Sequence, residues 1–248
     1  MFKQPMWMIP LGHYLGNISI IFGIYLIIYQ GFSPWWLLVW ACFHLISSLM
    51  LSVGLHRYFS HGTFKTTPFW HKFMSFYSVI LLNGSAHGWA AAHNTHHVHS
   101  DTNRDPHEAT WKYLFTKKYR NVPMVMTRVK VLVKDDSLNF LHRYGAPIWL
   151  GLVLLLGLVS WPILLFAYLM PLGSAHMIGA IHQTISHRSG APRNLAWLEW
   201  ILPASGEWLH KTHHDHPGKW DYRTKWYHLD LGALFIKLIA VPSSLSKG

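Results

Sequence analysis

The stretch "IFGIYLIIYQGFSPWWLLVWACF", Ile21 to Phe43, contains two apolar runs separated by a short polar turn. It belongs to a longer region without charge, since no Asp, Glu, Lys or Arg occurs between Lys3 and Arg57. A bilayer core takes about 20 apolar residues per helical crossing. The region is therefore long enough for two crossings, and Gln30 to Pro34 supplies the Gly and Pro at which the chain reverses. A second uncharged region lies between Arg143 and Arg188 and is divided at Ser160 to Pro162. Two helical hairpins are expected, with spans near 10–30, 34–55, 145–160 and 162–181.

Composition supports this reading. The 248 residues are 51% hydrophobic and 12% charged, against about 25% charged in soluble domains. A soluble chain of this size could not hide two such hairpins from water. The first apolar run leads straight into a second and lacks a basic start with a small-residue cleavage site, so it is expected to be a span and not a cleavable leader. A single cysteine, Cys42, excludes an internal disulfide and a cysteine metal cage.

The formal charge is +11, from 21 Lys+Arg and 10 Asp+Glu. Its placement favours a membrane over nucleic acid. Every Lys and Arg lies before the first span, between 57 and 143, or from 188 onward, and the positive-inside rule puts all three segments in the cytoplasm. The expected fold is all-α: an integral membrane protein of four transmembrane helices with both termini, 56–144 and 182–248 cytoplasmic. No internal repeat interrupts it, and 1–248 reads as one domain whose cytoplasmic part is a histidine-rich helical cap.

Twenty histidines populate the chain. Three groups stand out: His56 and His61 in "HRYFSH", His93, His96 and His97 in "HNTHH", and His210, His213 and His214 in "HKTHH". Each lies just beyond an expected span or in a connecting segment. On a helix, residues at i, i+3 and i+4 share a face, so the second and third groups each form a tripod. His56 and His61 would point about 140° apart on an ideal α-helix, an arrangement suited to two adjacent ions. Zinc rarely needs more than four protein ligands, whereas eight or more histidines suit a pair of metals, and imidazole accepts zinc, copper, iron or nickel.

These motifs resemble those of the membrane-bound fatty acid desaturases, in particular the acyl-CoA and acyl-lipid delta-9 branch. The resemblance runs from about Gly54 to Tyr222, through "GLHRYFSH", "HNTHHVHSDTNRDPH" and "GEWLHKTHHDHP", with "GSAH" similar to a further ligand motif in the fourth span. It implies two iron ions, cycling between Fe2+ and Fe3+, held by His56, His61, His93, His96, His97, His176, His210, His213 and His214. It further implies O2 as co-substrate and a cis double bond, at delta-9, introduced into a saturated acyl chain. The family has an asparagine four residues before the fourth-span ligand, helping to hold a metal-bound water, where this chain has Leu172. Asp101, Asp105, His107, Glu207 and Asp215 flank the groups and are candidates to orient ligating imidazoles.

The remaining histidines have simpler readings. His182 and His187 repeat the five-residue spacing in "HQTISH", but the family pattern gives them no ligand role. His99 and His216 read as surface or supporting groups, and His13 and His44, inside spans, as satisfied buried imidazoles. Trp70, Trp89, Trp111, Trp197 and Trp208 are candidates to line an acyl tunnel.

The substrate would be a fatty acyl lipid or acyl thioester. Electrons would come from an acidic ferredoxin or b-type cytochrome drawn to a basic surface with Lys117, Lys118, Arg120, Arg128, Lys130 and Lys134, which would also attract lipid headgroups. A bacterial or cyanobacterial-type inner membrane is the expected location. Two other functions fit parts of the pattern: a membrane di-iron hydroxylase or ketolase of alkyl or carotenoid substrates, and a histidine-rich metal-binding or transport protein.

Overall fold

The computed structural model describes residues 8–245. Lys3 and residues 246–248 lie outside them, so the placement of the two termini does too. Four helices are long and apolar enough to cross a membrane: α1 (Met8–Tyr29), α2 (Trp35–His61), α6 (Asp136–Val159) and α7 (Trp161–Ser186). Between and after them come α3 (Pro68–Ile80), α4 (Ala86–His99), α5 (Trp111–Thr116), α8 (His210–Asp215) and α9 (Leu231–Ile239), with shorter turns at Val129–Leu132 and Ala196–Trp200. The chain is an all-helical, multi-pass membrane protein.

Lipid replaces water as the solvent of the four long helices, and their surfaces show it. Ile18, Ile21 and Ile28 on α1 and Leu154, Leu155 and Leu158 on α6 are large, apolar and exposed. With no hydrophobic drive between helices in lipid, close backbone packing must hold α1 on α7. Small residues allow it: a Cβ added to Gly16 would sit 2.3 Å from the Gly173 Cα. α2 packs on the other side of α7, and α6 leans on α3.

Both hairpin turns fall where the sequence puts them. Gly31 takes a left-handed backbone at φ 70°, and Ser160 caps the start of α7 through Ile163 N. The helices themselves run further than the uncharged stretches suggest: α2 continues to His61, and α6 starts nine residues before the expected 145, at Asp136, with Asp135 capping Ser137 N and Leu138 N.

The second half of α2, Met50–His61, is wound as a π-helix. Its i→i+5 hydrogen bonds make each turn one residue wider, so residues five apart come nearly into line. His56 and His61 therefore do not diverge as the α-helical reading had them; they face the same way. Gly62, left-handed at φ 64°, ends the helix with its N–H donating to the Tyr58 carbonyl.

Candidate metal centre

The C-terminal ends of α2 and α7, all of α4 and all of α8 meet at one end of the bundle. Two buried groups of imidazoles form there. In the first, one ring nitrogen from each of His56, His61, His93, His97 and His213 lies within 4.8 Å of every other. His61 Nε2 is 2.7 Å from His93 Nε2, and His213 Nε2 is 2.7 Å from His97 Nε2 and 2.9 Å from His56 Nε2. The second group is His96, His187, His210 and His214, with His210 Nε2 2.7 Å from His187 Nε2 and 3.1 Å from His214 Nε2.

The groups are side by side because neighbours in sequence serve different ones. On α4 His97 turns to the first and His96 to the second, and on α8 His213 and His214 divide in the same way. The His97 and His214 rings stack across the boundary with centroids 4.3 Å apart.

Carboxylates fix which nitrogen points inward. Asp105 Oδ2 is 2.8 Å from His96 Nδ1, Asp101 Oδ2 is 3.0 Å from His187 Nδ1, and Glu207 Oε2 is 2.7 Å from His56 Nδ1. Each carboxylate accepts a hydrogen bond from Nδ1–H, which leaves the Nε2 lone pair facing the group. Asp105 is itself fixed by the backbone N–H groups of Asp101 and His107, which donate to it. Asp215 plays no such part. It pairs with Lys211 at 2.7 Å on the surface, where the i, i+4 spacing on α8 brings them together.

Electrostatics keep the donors ready. Burial first, then the neighbouring imidazoles, holds His93, His97, His210, His213 and His214 below the ordinary histidine range. Burial lowers His96 as well, against the pull of Asp105. Burial alone would raise Glu207, but His56 and Arg57 more than offset it and hold the carboxyl down at about 2. Asp105 is held well below the carboxylate range, because hydrogen bonds from His107 and His96 outweigh its burial. The result is neutral imidazoles at His93, His96, His97, His210, His213 and His214 beside charged carboxylates at Asp105 and Glu207.

Converging lone pairs repel unless a cation sits among them. His96 Nε2 is buried and has no protein partner, although its Nδ1 is tied to Asp105. Ligands on one metal with bonds of about 2.0–2.1 Å can be at most roughly 4.2 Å apart, close to the spread observed. Nitrogen donors in two adjoining sets fit a pair of metal ions.

Nine histidines meet, but the set differs from the expected one at a single member. His176 joins neither group: its Nε2 donates to the Leu81 carbonyl at 2.8 Å, and it packs beside His13. His187 stands in the second group instead, because α7 has about three further turns to run after His176 before it reaches α4 and α8. The signal was in the sequence. "HQTISH" repeats the spacing of "HRYFSH", and Gln183, a polar amide, lies four residues before His187. Gln183 Nε2 is buried without a partner, whereas Leu172 packs with Met8 and Leu82 in an apolar cluster.

Arg57 ties the third histidine group to the first. It is fully buried, meets both oxygens of Asp230 at 3.1 Å, donates to the Ser205 and Trp220 carbonyls, and stacks on Tyr222. Asp230 in turn caps α9 through Ala233 N. His182, outside both groups, donates to the Glu207 carbonyl at 2.8 Å. His13 accepts from Asn17, and His44 meets Ser174 at 2.8 Å. His216 is exposed.

A cavity runs from the metal centre into the bundle. Its wall includes His56, His93, His96 and His210 with Leu51, Trp89, Ala175 and Ile178. Of the five tryptophans considered for such a wall, Trp89 is in it. Trp208 is buried against His182, Trp70 packs on Phe73 and Phe235, and Trp111 and Trp197 are exposed. The basic surface also loses members. Lys117 is buried, and Arg128 turns inward to the Tyr58 and Phe59 carbonyls, while Lys118, Lys130 and Lys134 remain outside or at the surface.

No family model matches the chain. Individual relatives do. It is 27% identical to an acyl-CoA Delta(11) desaturase of Trichoplusia ni over 90% of this chain and 68% of the relative. It is 23% identical to an sn-1 stearoyl-lipid 9-desaturase of Anabaena variabilis over 78% and 76%, and 25% identical to the stearoyl-CoA desaturase of Homo sapiens over 90% and 68%. Its relatives are membrane fatty acid desaturases. The desaturase histidine motifs are the segments that converge here, and the carboxylates of Asp101, Asp105 and Glu207 complete their setting. It is a fatty acid desaturase-type enzyme, an oxidoreductase with a histidine-rich metal site.

Proposed function

We propose that this protein inserts a cis double bond at delta-9 of a saturated fatty acyl chain, using two iron ions, dioxygen and electrons from an external donor. The observation that carries the reading is the pair of adjoining buried imidazole groups, split between His96 and His97 and between His213 and His214, at the head of one cavity. The proposed ligands are His56, His61, His93, His97 and His213 for one iron and His96, His187, His210 and His214 for the other. Relatives named for the ninth and the eleventh position both support the substrate class.

When bound, the irons supply the activation of dioxygen that the removal of two unactivated hydrogens requires. The balance is one CH2–CH2 pair, O2, two electrons and two protons giving one CH=CH and two waters. The protein's own part is placement. Glu207, Asp105 and Asp101 hold the Nδ1 protons and aim Nε2. Leu51, Trp89, Ala175 and Ile178 give the alkyl chain an apolar wall that excludes water, and a featureless chain is positioned by such contacts alone.

In this reading the histidine end of the bundle faces the cytoplasm of a bacterial-type inner membrane. An acidic ferredoxin or b-type cytochrome docks on Lys118, Arg120, Lys130 and Lys134. The test is a fatty-acid profile, by gas chromatography and mass spectrometry, of a desaturase-deficient host expressing the chain with a ferredoxin, beside His97→Ala. A delta-9 monounsaturated acid made only by the intact chain supports the reading. Hydroxylated products would replace it with the oxygenase, and a purified protein holding zinc and no iron would overturn it.

A further inference from the structure

Lys117, at the C-terminal cap of α5, is 3% exposed and lines the cavity that holds His56, His93, His96 and His210. Its Nζ donates to Asn83 Oδ1 at 2.7 Å, and among the described residues it forms no ion pair with a carboxylate. A buried ammonium without an anion is costly, and proteins pair such charges or bind something to them. Burial lowers this ammonium to about 7.

Its surroundings add donors and few acceptors. Asn83 Nδ2 is buried and without a partner, and so are Trp89 Nε1 and Gln183 Nε2 in the cavity wall. An alkyl chain offers nothing to these N–H groups; an anionic oxygen does. Position makes the feature useful. Lys117 Nζ is 3.6 Å from the place a Cβ would take on Gly179, and Gly179 precedes His187 on α7 by about two turns, or roughly 12 Å.

We propose that Lys117, with Asn83, seats the anionic oxygen of the acyl amphiphile, a carboxylate or a phosphate, and so fixes how far along the chain the metal centre acts. This rests on the acyl-chain reading above and deepens it. The seat selects charged over neutral head groups, and it works by position, touching the substrate away from the reacting carbons.

The test is ligand-induced thermal stabilisation of the metal-loaded full chain in detergent. The probes are palmitate, 1-palmitoyl lysophosphatidate and neutral 1-hexadecanol. At least one anionic probe is expected to bind tenfold or more tighter than hexadecanol: palmitate alone identifies a free carboxylate, and lysophosphatidate alone a lipid headgroup. Lys117→Met should abolish the preference and Lys117→Arg keep part of it. Should Lys117→Met not fold, Asn83→Leu is expected to lower the preference at least threefold. Equal binding of hexadecanol and both anions, or a preference unchanged in Lys117→Met or Asn83→Leu, overturns the proposal. Binding needs no turnover, so a wrong desaturation product with an intact anion preference would count against the reaction and not the seat.

Discussion

Glu207 Oε2 lies 2.7 Å from Nδ1 of His56, so the loop that leads into the third histidine group orients a histidine of the first. Ser52 and Arg57 on α2 complete its setting, the one donating to Glu207 Oε1 and the other 3.8 Å away. Glu207→Gln keeps the shape and removes the charge that holds the Nδ1 proton. A 10- to 100-fold loss of metal affinity is expected, read by competition with a chelator followed by metal analysis. Unchanged affinity would mean that His56 is held by packing alone.

His187 and His176 separate two readings of the metal set. His187→Ala should leave the second group with three donors and lower metal content from about two ions to about one per chain. His176→Ala should retain two and lose about 1–3 kcal/mol of stability, because the Leu81 carbonyl is left without its donor. Metal content and thermal denaturation of both variants decide the matter; the reverse pattern would restore His176 as a ligand.

Gly16 meets Gly173 backbone to backbone. Gly16→Val has no flexible neighbour to displace, so α1 must move off α7 at a cost of about 1–3 kcal/mol or more. Size-exclusion profiles in mild detergent should show aggregation or a lowered melting temperature. Gly151, with open space around its Cβ position, should tolerate the same change.

Lys117 gives stability a pH dependence. Its folded value, lowered by burial to about 7, is well below the unfolded 10.5. Between these values the unfolded chain binds more protons, so stability rises with pH across that window. The full contribution is about 4–5 kcal/mol. His13 and His176 are the titratable neighbours. Lys117→Met should flatten the rise between pH 7 and 10 in thermal melts without added ligand, and an equal rise in the variant would assign it to another group.

Much of this was open to reading along the chain. The tripods of "HNTHH" and "HKTHH" are dictated by α-helical spacing, and α4 and α8 are helical. The pairing of His56 with His61 was not, because Met50–His61 is wound as a π-helix, which α-helical spacing does not anticipate. Asp101, Asp105 and Asp215 look alike beside their motifs. Only the first two reach an imidazole, and the third turns to Lys211. Lys117 reads as one more surface lysine until α5 is folded against α7 and closes over it.

The sequence alone determined the four membrane helices, since charged side chains are so costly in a bilayer core that two long stretches free of them mark where the chain crosses. It also determined that histidine, with a single cysteine in the whole chain, would carry the metal chemistry. Tertiary structure decided which histidines meet, which carboxylates orient His56, His96 and His187, and that His187 stands where His176 was expected. Helical spacing is a local property of the backbone, readable from neighbours in the chain. A metal site is built from segments more than a hundred residues apart, and its membership depends on where packing halts each helix.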